Sequence, residues 1–224
     1  MTPLTGYTAP VETLPTACFR ALVAELGAEP SVHFDHLSPR GLWTFLNGYL
    51  LVVPSFRGVM ARVDERTARE HRTRLTLSAG TLHYLDLGDS AAGYRALLQR
   101  VGAALPSADT VTEPEPPLVR SFRQLLPTLA ERPALLVGSR DVKDWAIFVR
   151  GLHRGLCDRG VDPAHDRTLL GMYERSLQQR YGLNATWDRI HDVWDLGRGE
   201  SSVEFARGFL AWYQERQADE ARTG

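Results

Sequence analysis

The sequence predicts an α+β fold, with an N-terminal antiparallel sheet and flanking helices followed by an all-helical C-terminal domain. Three observations carry this expectation. Between residues 31 and 87, apolar residues alternate or fall in short runs broken by turn-forming dipeptides. After residue 118 they recur at steps of three and four, the helical period. Between these regions lies PSADTVTEPEPP, residues 106–117, with four prolines and three acidic residues. Such a composition makes an extended, semi-rigid linker. The expected domains are 1–105 and 118–224, joined by 106–117.

A helix is predicted from Thr13 to Leu26. Thr13 can cap it, Pro15 suits its first turn, and Cys18, Leu22 and Leu26 line one side. Ser31 to Leu37 then alternates, placing Val32, Phe34 and His36 on one side of a strand. Leu42 to Leu46 and Tyr49 to Val53 flank Asn47-Gly48, a strong local hairpin signal, because a type I′ turn needs positive φ at both central positions. Val59 to Val63 reads as a further strand. Leu75 to Ser78 and Leu82 to Leu87 read as a second hairpin about Ala79-Gly80. Tyr94, Leu97, Leu98 and Val101 mark a helix that ends before Pro106.

Beyond the linker, a short helix is expected over Leu118 to Leu126. The main helix of this half follows. Ser139 can cap it and Asp141 suits its positive end. Val142, Trp145, Ala146, Val149, Leu152 and Leu156 form its apolar stripe. Ile147 and Phe148 lie off that stripe, so the helix should be buried on more than one side. Gly151 and Gly155 share one face and would let another backbone approach closely. Packing within the chain is the leading reading of that face; a homodimer contact is the other. Pro163 opens a helix carrying Leu169, Leu170, Tyr173 and Leu177. Trp187, Ile190, Val193 and Trp194 form an amphipathic segment. The last helix begins at Ser201 or Ser202 and carries Phe205, Phe209, Trp212 and Tyr213.

The chain has 224 residues, is 43% hydrophobic and 24% charged, and carries a net charge of −1. That balance gives no global attraction to nucleic acid or membranes. Lys143 is the only lysine, an arginine bias typical of a GC-rich bacterial genome. No signal peptide or membrane-spanning run is visible. Cys18 and Cys157 sit within helical patterns and read as small buried hydrophobes. A cytoplasmic location is expected.

Four groups of residues could carry chemistry. His33, Asp35 and His36 are dense enough for a metal site, but a strand would point His36 away from the other two. Arg66 and His71 have the Arg-x4-His spacing of HEPN-type ribonucleases, where the pair holds a phosphate and shuttles a proton. Those enzymes are helical, whereas this segment lies between predicted strands, so a solvated edge is the preferred reading. The same stretch, Arg57 to Arg74, raises nucleic-acid binding as an alternative, blunted by Asp64, Glu65 and Glu70. Asp141-Val142-Lys143 has the acid-x-Lys form of restriction-type nucleases, but it falls in a helical first turn. His191 and Asp195 share a helical face and could form an acid–base pair. No nucleophile elbow or phosphate-binding glycine loop is present. A metal- or histidine-dependent hydrolase or nuclease is therefore an alternative, and no cofactor or metal is expected.

The region 132–224 resembles uncharacterised bacterial immunity-type proteins encoded beside polymorphic toxins. The residues that carry the resemblance are Arg132-Pro133, Leu135, Val137-Gly138, Trp145, Phe148, Gly151 and Leu152, with Tyr181-Gly182-Leu183 before Trp187 and Ile190. The resemblance implies a non-catalytic protein that neutralises a toxin by stoichiometric binding. The leading expectation is thus a protein-binding module, with a homodimer also open.

Overall fold

The computed structural model describes residues 14–72, 78–105, 115–132, 136–137, 142–181 and 201–223. Its α-helices are α1 (Leu14–Ala28), α2 (Pro39–Val52), α3 (Arg57–Glu70), α4 (Ala79–Leu87), α5 (Ala91–Ala103), α6 (Leu126–Glu131), α7 (Val142–Asp158), α8 (Ala164–Tyr181) and α9 (Ser201–Thr223). Among the described residues there is no β-strand. The fold is all-α, and the expected α+β architecture with its antiparallel sheet is overturned.

The expected hairpin over residues 42–53 is replaced by one continuous helix. The Ser38 hydroxyl accepts from the Gly41 amide at 2.8 Å, and Pro39 occupies the first helical position. Leu42, Phe45, Leu46 and Tyr49 then follow the helical period and are fully buried. Asn47-Gly48, locally a turn signal, lies mid-helix where α7 crosses. A Cβ on Gly48 would lie 2.1 Å from the Phe148 carbonyl oxygen. This glycine serves a close approach of backbones, which a local turn rule cannot see.

The second expected hairpin fails for the same reason at its turn and second strand; residues 75–77 of its first strand lie outside the described residues. Ser78 caps α4 by accepting from the Thr81 amide at 3.2 Å. A Cβ on Gly80 would lie 2.5 Å from the Trp43 Cβ, so this glycine lets α4 settle on α2. The expected strand at Val59–Val63 is part of α3, whose Val59, Met60, Val63 and Thr67 face the core. Residues 31–37 do not alternate. A short 3₁₀ turn at Pro30–Val32 leaves Val32 exposed and buries both His33 and Phe34.

The helices predicted near Thr13–Leu26, Tyr94–Val101, Val142–Leu156, Pro163–Leu177 and Ser201–Tyr213 are present as α1, α5, α7, α8 and α9. Residues 118–126 give an irregular segment, a 3₁₀ turn at Phe122–Leu125, and the start of α6.

Packing centres on α2 and α7, the most extensively joined pair of helices among the described residues. They interlock through three glycines. A Cβ on Gly151 would lie 2.0 Å from the Phe45 carbonyl oxygen, and one on Gly155 would lie 3.0 Å from that of Tyr49. Such proximity multiplies dispersion contacts along the whole interface. One hydrophobic core draws on both sides of residues 106–117. Phe19 stacks on Phe56 at 4.5 Å, and Phe34 meets Phe45 and Tyr94 edge-on. On the α7–α9 side, Trp145 packs on Phe205 at 4.7 Å, and Phe209 meets Phe122 and Tyr173. The last carbonyls of α2 also find partners from beyond residue 117: Leu51 accepts from the Leu118 amide and Val52 from Arg159. No helix among the described residues is long and apolar enough to cross a membrane.

Candidate interaction groove

The helical packing sorts the sequence-predicted residues into separate places. His33 is buried, and its Nε2 donates to Glu25 Oε1 at 2.7 Å. Glu25 also accepts from Arg154, which donates through Nε to Asp158; Asp158 in turn accepts from the Tyr49 hydroxyl at 2.9 Å. Burial tends to raise the Glu25 carboxyl, but hydrogen bonds from His33 and Arg154 outweigh it and hold the group below the usual range. This chain of pairs fastens α1, α2 and α7 to the turn after α1. Asp35 lies 3.4 Å from an Arg150 nitrogen, and exposed His36 donates to the Asp89 carbonyl. The three residues thus turn to three different partners. Among the described residues no three His, Cys, Asp or Glu side chains group to hold a metal ion.

Arg66 and His71 lie on and at the end of α3, so the strand context expected for them is absent. Five residues correspond to roughly 140° around a helix, and the two side chains diverge accordingly. Arg66 engages Glu70, whereas the His71 ring meets that of His83 edge-on at 6.2 Å. His83 is 2% exposed, and neither ring nitrogen finds a hydrogen-bond partner among the described residues. Burial, then the nearby Arg100 and His71, push its imidazole down. Gly151 and Gly155 face α2 of the same chain. Lys143 is exposed in the first turn of α7. Asp141, His191, Asp195, Trp187 and Trp194 lie outside the described residues.

What the fold does assemble is a groove of about 630 Å³ between α3 and α5. The inward face of α3 is pinned by Val59, Val63 and Thr67, whose hydroxyl donates to the Val63 carbonyl. Its outward face therefore presents Arg62, Arg66 and Arg69, one to two turns apart. Arg100 joins them from α5, and Val63, Ala103 and Ala104 form an apolar floor. Four guanidiniums against Glu65 and Glu70 leave a net charge of +2.

Each guanidinium has an acceptor beside it. Arg62 donates to the Ala104 carbonyl at the end of α5, at 3.1 Å. Arg69 pairs with Glu65 at 3.1 Å. Glu70 accepts from Arg66 Nε at 3.1 Å and also from Arg100, linking the two helices. The bonds from Arg100 and Arg66 hold the Glu70 carboxyl below the usual range. Each guanidinium carries five N–H donors, so these pairings leave donors open to the groove.

The linear sequence pointed to the Arg57–Arg74 stretch but not to Arg100. The pairing of Arg100 with Glu70 arises only when α5 lies against α3. The available sign was arginine on the polar side of the predicted Tyr94–Val101 helix. No protein-family model, curated protein or solved structure matches this chain.

Proposed function

We propose that this chain is a non-catalytic protein-binding module of the immunity or antitoxin type, which neutralises a toxin partner by stoichiometric binding in the cytoplasm. The observation that carries the reading is the arginine-lined groove between α3 and α5. Arginine holds carboxylates through paired N–H donors and is enriched at the energetic centres of protein interfaces. Arg62, tied to the Ala104 carbonyl, loses less freedom on binding. An acidic segment of a protein partner fits this lining, with the apolar floor taking its aliphatic portions.

The apolar floor of Val63, Ala103 and Ala104 distinguishes the groove from a nucleic-acid track, since it suits the aliphatic parts of a peptide. Among the described residues no aromatic side chain lines the groove for a base to stack on. Cys18 is half-buried and Cys157 exposed, so neither is the buried hydrophobe its helical pattern predicts.

The test is quantitative capture from the native host with the wild-type chain and an Arg66→Glu/Arg69→Glu variant. The expected result is a partner held by the wild type at one-to-one stoichiometry. The variant should bind it roughly tenfold or more weakly, because two attractive charges become repulsive. A partner held equally by both proteins would refute the assignment of the groove, as would tighter binding of RNA than of any protein.

A further inference from the structure

We infer that Arg66 and Arg100 form a carboxylate seat, that Glu70 fills it in the free protein, and that an acidic side chain of the protein partner displaces Glu70 on docking. This rests on the groove being the partner site. Arg66 comes from α3 and Arg100 from α5, yet both guanidiniums converge on the single carboxylate of Glu70. The arrangement is therefore one that receives a carboxylate, and the chain's own glutamate displays how it is received.

The occupant is held loosely. Glu70 is 40% exposed and the seat opens on the groove. Exposed pairs of this kind are screened by water and contribute little, so an incoming carboxylate exchanges for Glu70 at small cost. Arg100 is the more sheltered partner, with its side chain 26% exposed, and it forms the inner wall of the seat. Glu65 provides the contrast: it carries the same charge in the same groove, but among the described residues it pairs with Arg69 alone, on its own helix and at the exposed edge.

A self-occupied seat lowers apparent affinity by the fraction of time it is free. If Glu70 occupies it about nine-tenths of the time, removing Glu70 tightens binding about tenfold. The probe is a fluorescein-labelled oligoglutamate peptide, followed by anisotropy at low salt. Glu70→Gln should bind it about tenfold more tightly than the wild type. Glu65→Gln, which removes the same charge, should give a clearly smaller gain. Glu70→Asp keeps the charge but shortens the reach to Arg100, and it too should tighten binding. Arg100→Gln should weaken binding in every background. Helical circular dichroism checks that each variant is folded.

Equal gains from Glu70→Gln and Glu65→Gln would reduce the effect to net charge and overturn the seat. So would weaker binding by folded Glu70→Gln or Glu70→Asp. Both results leave the docking groove standing. If neither the wild type nor folded Glu70→Gln binds the peptide, the seat and the groove's assignment to an acidic protein fall together. Displacement of the peptide by RNA at lower concentration than by a second acidic peptide would assign the lining to phosphate and overturn the proposed occupant.

Discussion

Replacing Gly151 by alanine tests the α2–α7 packing on which the fold depends. In an exposed helix the change is favourable by about 1 kcal/mol, because alanine loses less backbone freedom. Here the new Cβ would lie 2.0 Å from the Phe45 carbonyl oxygen, 2.8 Å from its carbonyl carbon and 3.2 Å from its Cα. All three neighbours are backbone, so no side-chain rotation relieves the clash. The helices must part by roughly 1 Å or more before these atoms regain ordinary contact distances.

Overpacking of a tight core typically costs about 1–3 kcal/mol, and a backbone clash belongs at the upper end of that range. Subtracting the helix gain leaves a net loss of about 2 kcal/mol. For a chain of this size that lowers Tm by about 4–8 °C. Gly171→Ala is the matched control. Its nearest neighbour would be an Arg175 guanidinium nitrogen at 3.8 Å, so the intrinsic preference should win and raise Tm by about 2–4 °C. Differential scanning calorimetry reads both. A Gly151→Ala protein that melts at or above the wild-type temperature would refute the close-approach reasoning. A change in mass by sedimentation would instead point to Gly151 acting between copies of the chain.

Acid should weaken the fold through His153. Burial, with Arg167 adding to it and Asp166 opposing, pushes the imidazole down to about 4 from its ordinary 6.5. The unfolded chain takes up the proton near pH 6.5 and the folded chain only near pH 4, so stability is full above about 6.5 and falls as pH drops toward 4. The loss reaches about 3 kcal/mol across that interval, and urea midpoints for the wild type and His153→Gln near pH 7 and near pH 5 should show the variant with a flatter dependence. Arg154→Ala should cost about 2 kcal/mol, between the values for exposed and buried pairs, because it leaves Glu25 and Asp158 half-buried without their shared cation. Chemical denaturation checks this, and an unchanged midpoint would mean that water replaces the guanidinium without loss.

Much of the second half was legible in the sequence because each helix there carries its own three- and four-residue apolar spacing. The stripe from Val142 to Leu156 predicts α7, and its residues are buried largely as the stripe requires. The first half was misread where a local rule competed with a distant neighbour. Asn47-Gly48 and Ala79-Gly80 satisfy turn chemistry, yet both glycines answer to other helices, to Phe148 and to Trp43. The signals that would have corrected the reading were also local: Ser38-Pro39, Ser78 and Ser90 each stand at a helix start and accept from its first-turn amide. Short apolar runs such as Leu42–Leu46 fit either period, and the caps decide between them.

The candidate groove divides in the same way. Composition and order determined that Arg62, Arg66 and Arg69 line one side of a helix once that segment is helical, since their spacing follows the helical turn. The same local spacing determined that Arg66 and His71 diverge. The tertiary structure alone decided that Arg100 crosses to Glu70 and that Gly151 and Gly155 are filled by α2. It also decided that His33 turns to Glu25 rather than to Asp35 or His36. These outcomes depend on contacts between residues 8 to more than 100 positions apart. A periodicity reads only the near neighbours of each residue, whereas burial and pairing are settled by whichever surface the folded chain brings against it.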